Sequence, residues 1–247
     1  MKSAPVRSIG FPNPFPKVFW IWDTDSPLKR HSQYRAAKAG SQAAAVEVVG
    51  DLALSFLSRL TGKIPPGRCF VAPHAREATG DNAIPQVMAA AASLLLRGTL
   101  EHEIVQTTRV YHTGADAMER LAYRPMFSGP IFRNRRYVLV DDVTNLGGTL
   151  AELSDFLGIH GGIVEGCILL VNAGRSKELI PCPKRVKLLT VRYGKDLQDQ
   201  IQVAPQALTA NEADYLIGFR SLDEIRNRIL KARKETNLRL RSKGIAS

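Results

Sequence analysis

Asp141 and Asp142 are followed, seven residues on, by the end of a run that holds Thr144, Asn145, Leu146, Gly147, Gly148 and Thr149. Two carboxylates and a Gly/Thr loop at that spacing can do two things. Gly147 and Gly148 let the backbone curl closely around a tetrahedral anion, and the hydroxyls of Thr144 and Thr149 add donors. The carboxylates beside such a cup suit the vicinal hydroxyls of a sugar, directly or through Mg²⁺. A phosphate on one side and a diol on the other describe a ribose 5-phosphate.

The flanking residues supply the elements that hold this loop. Val138-Leu139-Val140 is an apolar run of the kind found in buried parallel strands, and the acids stand where that strand leaves the sheet. Residues 150–157 have helical spacing, closed by Gly161-Gly162. The N–H groups of a first helical turn have no partners within the helix, and the helix dipole adds partial positive charge there. Strand, acids, loop and helix form half of a βαβ unit.

A second strand–loop–helix unit precedes it. Residues 68–72 read as a strand that runs into the polar stretch 73–82. A helix starts near Ile84-Pro85, with Asp81 or Asn82 as its cap. Further strands are expected at 104–107, 162–171 and 186–191, and a helix over about 36–60 that ends at Gly62. Alternation of this kind predicts an α/β fold: a parallel sheet with helices on both faces and the loops at the C-terminal edge of the strands.

The stretch 138–149 resembles the phosphoribosyl-pyrophosphate (PRPP) loop of type I phosphoribosyltransferases, a hydrophobic run, two acids, then Thr-Thr-Gly-x-Thr or a variant. Asn145 and Leu146 stand here at the Thr-Thr pair. The motifs Tyr34-Arg35-Ala36-Ala37-Lys38-Ala39-Gly40, Glu77-Ala78-Thr79-Gly80, His112-Thr113-Gly114-Ala115-Asp116 and the helix start at Leu208-Thr209 look like a bacterial subgroup of that family with no settled acceptor. The resemblance implies transfer of ribose 5-phosphate from PRPP to a small-molecule acceptor, with Mg²⁺ as cofactor and release of pyrophosphate. It implies Asp141 and Asp142 as catalytic and metal-shell residues and residues 144–149 as the 5-phosphate site. It places Arg76, Glu77, Thr79, Gly80 and Asn82 at the pyrophosphate, and His112, Arg120 and Arg124 on a mobile hood over it.

Bulk properties bound the alternatives. With 247 residues the chain can bury a real core in one compact unit. It divides into an N-terminal arm (1–36), an α/β core (37–204) and a C-terminal helical extension (205–247). Cys69, Cys167 and Cys182 lack metal spacing and read as reduced thiols of a cytoplasmic protein. No apolar run is long enough for a bilayer, and no secretory pattern follows Lys2. A net charge of +11 favours anionic ligands. It leaves open a PRPP-sensing regulator or a nucleic-acid-binding protein, and a homodimer, as alternatives. The arm carries a second acidic motif, Phe19-Trp20-Ile21-Trp22-Asp23-Thr24-Asp25, similar to the nucleophile motif of haloacid-dehalogenase-type phosphatases. The tail holds two capping boxes, Thr209–Glu212 and Ser221–Glu224, the second opening a basic helix with Ile225, Ile229 and Ala232 on one face.

Overall fold

A computed structural model describes residues 5–15, 17–74, 76–77, 80–108 and 116–242. In chain order its strands are β1 (Val18–Phe19), β2 (Cys69–Val71), β3 (Arg76–Glu77), β4 (Gly80–Asp81), β5 (Thr99–Glu101), β6 (Val105–Gln106), β7 (Phe127–Ser128), β8 (Arg136–Thr144) and β9 (Ile163–Asn172). The helices are α1 (Ser26–Arg30), α2 (Tyr34–Lys38), α3 (Gln42–Leu52), α4 (Leu54–Ser58), α5 (Ile84–Leu95) and α6 (Ala117–Ala122). They continue with α7 (Gly148–Ile159), α8 (Pro183–Ile201), α9 (Ala210–Ile217) and α10 (Leu222–Ser242).

Five strands form one parallel sheet in the order β1-β9-β8-β2-β5. Its central strands are apolar on both faces, because helices cover both. Val138, Val140, Ile168 and Leu170 pack against α3 and α5 through Val48, Val49, Ile84 and Met88. Tyr137, Leu139, Cys167 and Leu169 face α7 through Leu150, Leu153 and Leu157. The period of two along each strand sends neighbouring residues to opposite faces, and the expected α/β class follows. A third apolar cluster joins α6, α8, α9 and α10 through Met118, Leu121, Leu189, Leu197, Ile225 and Ile229.

The arm is built into this framework. β1 is an edge strand paired with β9, and Arg7 forms a parallel bridge with Val203. The N–H groups of Ser8, Ile9 and Gly10 all donate to one carboxylate oxygen of Asp155 in α7, at 3.0, 2.6 and 2.9 Å. Gly10 has φ +64°, and a Cβ there would lie 2.5 Å from the Ala207 carbonyl oxygen, so only glycine fits this turn.

Three expected elements differ. Residues 186–191 are helical, in the first part of α8, where Leu189 and Tyr193 are buried at a spacing of four; Gly194, with φ +58° and ψ −142°, kinks α8 before Leu197 and Ile201. The helix expected over 36–60 is three helices: Gly40 breaks it with φ +101°, and Ser41 caps α3 by accepting from the Ala44 N–H at 3.3 Å. Residues 104–107 contribute β6, which pairs antiparallel with β7 outside the main sheet, while β5 takes the place beside β2.

Candidate functional site

Strand β8 pairs with β2 only as far as Leu139 but with β9 as far as Thr144. Asp141 and Asp142 therefore lie within β8, on a stretch already parted from β2, and not at the point where the strand ends. Alternation turns Asp141 to the α7 side and Asp142 to the α5 side. Both are more enclosed than a rim position would make them, at 9% and 2% exposed.

After Thr144 the chain makes the cup. Gly147 adopts φ +81° and ψ 2° as the N-cap of α7, a left-handed conformation that costs an L-residue about 1–2 kcal/mol. The Ala151 N–H donates to the Gly147 carbonyl at 2.9 Å, so α7 begins directly behind the loop. Asp141, residues 143–150, Arg120, Arg124, Pro125 and Glu212 surround a cavity of about 40 Å³. A single water needs about 10–15 Å³ on the same measure, so the cup has room for a small tetrahedral anion.

The acidic pair is held from several directions. Asp142 accepts from the Asn82 amide on Oδ1 and from the Lys38 ammonium on Oδ2, each at 3.2 Å. The backbone N–H of Asp142 donates to Asp141 Oδ1 at 2.9 Å. Burial, and after it the neighbouring Asp142 carboxylate, pushes the Asp141 carboxyl well above the usual carboxylate range. Mg²⁺ asks for oxygen ligands at about 2.0–2.1 Å in near-octahedral array. Three of the four carboxylate oxygens here already accept N–H donors, one of them from a cation, so the pair does not fit an inner-sphere magnesium site. The three-carboxylate cluster found among the described residues, Asp116, Glu119 and Glu235, lies elsewhere, and Arg228 pairs with Asp116 and Glu235.

Of the residues expected at the pyrophosphate, Asn82 reaches the acidic pair. Arg76, Glu77 and Gly80 lie on the β3–β4 hairpin just before it. Thr79 and His112 fall outside the described residues. Arg120 and Arg124 line the cavity at the α7 loop, and Arg124 is buried and ion-paired with Glu152, unlike a side chain on an exposed hood. Its guanidinium donates to Glu152 at 2.6 Å and to the Pro5 carbonyl at 2.8 Å. Glu152 also pairs with the fully buried Arg7 at 3.1 Å, and burial raises its carboxyl even against two guanidinium neighbours. Arg7 makes a second ion pair with Glu212, and Thr209 donates to the carbonyl of Leu146 in the cup. Asp23 is exposed, paired with Lys177, and lies four residues after β1, which is separated from β8 by β9. The arm motif and the acidic pair are thus not brought together as a phosphatase would need.

No known family model matches the chain. It is 33% identical over 229 residues to the protein TraN of Escherichia coli, covering 90% of this chain and 50% of that one. It is 35% identical over 131 residues to an uncharacterised protein of Haemophilus influenzae, covering 51% of this chain and 29% of that one. The chain thus spans half or less of the curated relatives it matches. Among solved structures, an adenine phosphoribosyltransferase from Leishmania donovani aligns over 80% of this chain and 87% of its own, with 15% identity and a TM-score of 0.36. Among the described residues, no helix is long and apolar enough to cross a membrane.

Chemically, the site offers an anion cup with two arginines in its wall and, next to it, a pair of hydrogen-bond-accepting carboxylates. Lys38, Glu152, Glu212 and Arg7 were not singled out by sequence as site residues. Their partners lie 104, 28, 205 and 205 positions away, and no local spacing marks such pairs.

Proposed function

We propose that the protein is a phosphoribosyltransferase that takes PRPP as donor and transfers ribose 5-phosphate to a small acceptor, releasing pyrophosphate. The observation that carries this is that Asp141 lines the cavity at the α7 cup, with Asp142 next to it on the strand. The cup supplies what a phosphomonoester needs: a helix N-terminus, a left-handed glycine and two arginines. The Asp141 carboxyl, which lines the cup, meets the sugar hydroxyls, and Asp142 supports it from behind. The acceptor's lone pair attacks C1 as the C1–O bond to pyrophosphate breaks, and the acceptor's proton passes to the departing pyrophosphate or to solvent. Positive charge builds on the ring in the transition state, so the protein's part is to position the sugar and to stabilise charge. Magnesium belongs, in this reading, to the diphosphate of the incoming donor and not to a resident protein site.

The test is release of pyrophosphate from PRPP in the presence of pooled candidate acceptors, beside calorimetric binding of ribose 5-phosphate. Acceptor-dependent release supports transfer. Binding of ribose 5-phosphate without any release supports a second reading, a PRPP-sensing protein on the same fold. Leu146 favours that second reading, since its side chain gives the cup no donor. Failure to bind ribose 5-phosphate at all would refute both.

A further inference from the structure

Lys38 closes α2, a helix of five residues. Three contacts fix where its ammonium goes. Ala37 is fully buried beneath it. The Ala83 N–H donates to the Ala37 carbonyl at 3.1 Å, which ties the end of α2 to the turn after β4. The ammonium itself lies 3.2 Å from Asp142 Oδ2. Asn82, the residue before Ala83, donates to the other oxygen of the same carboxylate. One turn of chain therefore grips Asp142 directly and also anchors the helix end that delivers Lys38. The Lys38 side chain is 28% exposed whereas that of Asp142 is 3% exposed, so the ammonium meets the carboxylate at the edge of the fold while the carboxylate itself is enclosed.

Two adjacent carboxylates beside a phosphate site pose an electrostatic problem. A sugar phosphate brings about two negative charges of its own at neutral pH, and the pair would repel it. A divalent cation is one solution. A lysine ammonium, a compact point charge with three donors, is another, and here it is built into the fold.

We infer that Lys38 is the resident counter-cation of the acidic pair, so that the sugar-phosphate half of the ligand is held without a divalent metal. This rests on the ribose 5-phosphate reading of the cleft and adds a residue and a metal-independence to it. Asp142 serves as the relay: it takes charge from Lys38 and the Asn82 amide. Asp141 accepts from the Asp142 N–H on Oδ1 and itself lines the cavity at the α7 loop, where it would meet a sugar hydroxyl.

The experiment is calorimetric titration with ribose 5-phosphate, which carries no diphosphate to chelate metal. Parent protein, Lys38→Met and Lys38→Arg are each titrated in EDTA and in excess Mg²⁺. The parent is expected to bind with the same affinity, within about twofold, in both buffers. Lys38→Met should bind about tenfold or more weakly in EDTA, the scale of one charge-assisted contact, and recover part of that loss in Mg²⁺. Lys38→Arg should stay within about threefold of the parent in EDTA. A parent that binds only with Mg²⁺ would overturn the inference while leaving the sugar-phosphate reading intact. So would a folded Lys38→Met that binds like the parent in EDTA. Should thermal melting show Lys38→Met unfolded, the parent's response to EDTA and the Lys38→Arg affinity decide the matter. A parent that binds ribose 5-phosphate in neither buffer refutes the reading itself, and this inference with it.

Discussion

Replacing Arg7 by methionine removes the counter-ion of two buried carboxylates while keeping most of the side-chain volume. Arg7 is fully buried, and its partners Glu152 and Glu212 are 9% and 2% exposed at their side chains. Glu152 keeps Arg124 at 2.6 Å. Glu212 keeps the Thr209 N–H at 2.8 Å but has no other cation among its contacts in the described residues. Breaking a buried ion pair from one side costs about 3–5 kcal/mol, because a charge is left without compensation. The Arg7 Nε has no hydrogen-bond partner, and losing that donor returns about 1 kcal/mol. The net expectation is a loss of about 2–4 kcal/mol. With a urea slope near 2 kcal/mol per M, the unfolding midpoint should fall by about 1–2 M. The assay is urea unfolding followed by far-ultraviolet circular dichroism. The double variant Arg7→Met/Glu212→Gln removes the orphaned charge and should recover at least half of the loss. A single variant that loses under about 1 kcal/mol, or a double variant no better than the single, would show that the network does not anchor the arm.

Gly148→Ala tests the wall of the cup. The added Cβ would sit 2.8 Å from Glu212 Oε1, on a carboxylate already held by Arg7 and the Thr209 N–H, so overpacking should cost about 1–3 kcal/mol and lower ribose 5-phosphate affinity. Parent-like melting and affinity would contradict it. Asp141→Asn should weaken ribose 5-phosphate binding by about tenfold or more yet raise the melting temperature at neutral pH. The folded state holds the Asp141 carboxyl above its ordinary value of about 3.9. The parent therefore loses stability as pH rises through the interval above that value, and the asparagine variant does not. Melting curves that fail to converge as pH falls to about 4 would refute that assignment.

The cup was legible because its signals are local. A strand, two acids, two glycines and a helical stripe occupy one run of chain, and each restricts the backbone within a few residues. The Thr209–Glu212 capping box was legible for the same reason and is present with both hydrogen bonds. Residues 186–191 misled because Val186, Val191 and Tyr193 favour strands and Gly194 cuts the window short. That glycine kinks α8, so the buried spacing of four is split into Leu189–Tyr193 before it and Leu197–Ile201 after it. β5 was missed because it is three residues long and two of them are exposed, leaving no alternation to detect. Arg120 and Arg124 were expected on a hood because they are basic residues near glycines. What fixes Arg124 is Glu152, across the fold on α7. The role of Asp142 was read from its neighbours in sequence, whereas Lys38 and Asn82, which define its surroundings, come from two earlier segments.

The Arg7–Glu212 tie spans 205 residues of chain. During synthesis, at roughly 5–20 residues per second, Arg7 emerges about 10–40 s before the carboxylate that neutralises it. Through that interval the sheet and α7 can form, with Asp155 ready to collect the arm's N–H groups. The floor of the cup cannot close until α9 brings Thr209 to Leu146. The wall of the site therefore cannot be completed before α9 has been synthesised, long after the loop that carries the recognisable motif.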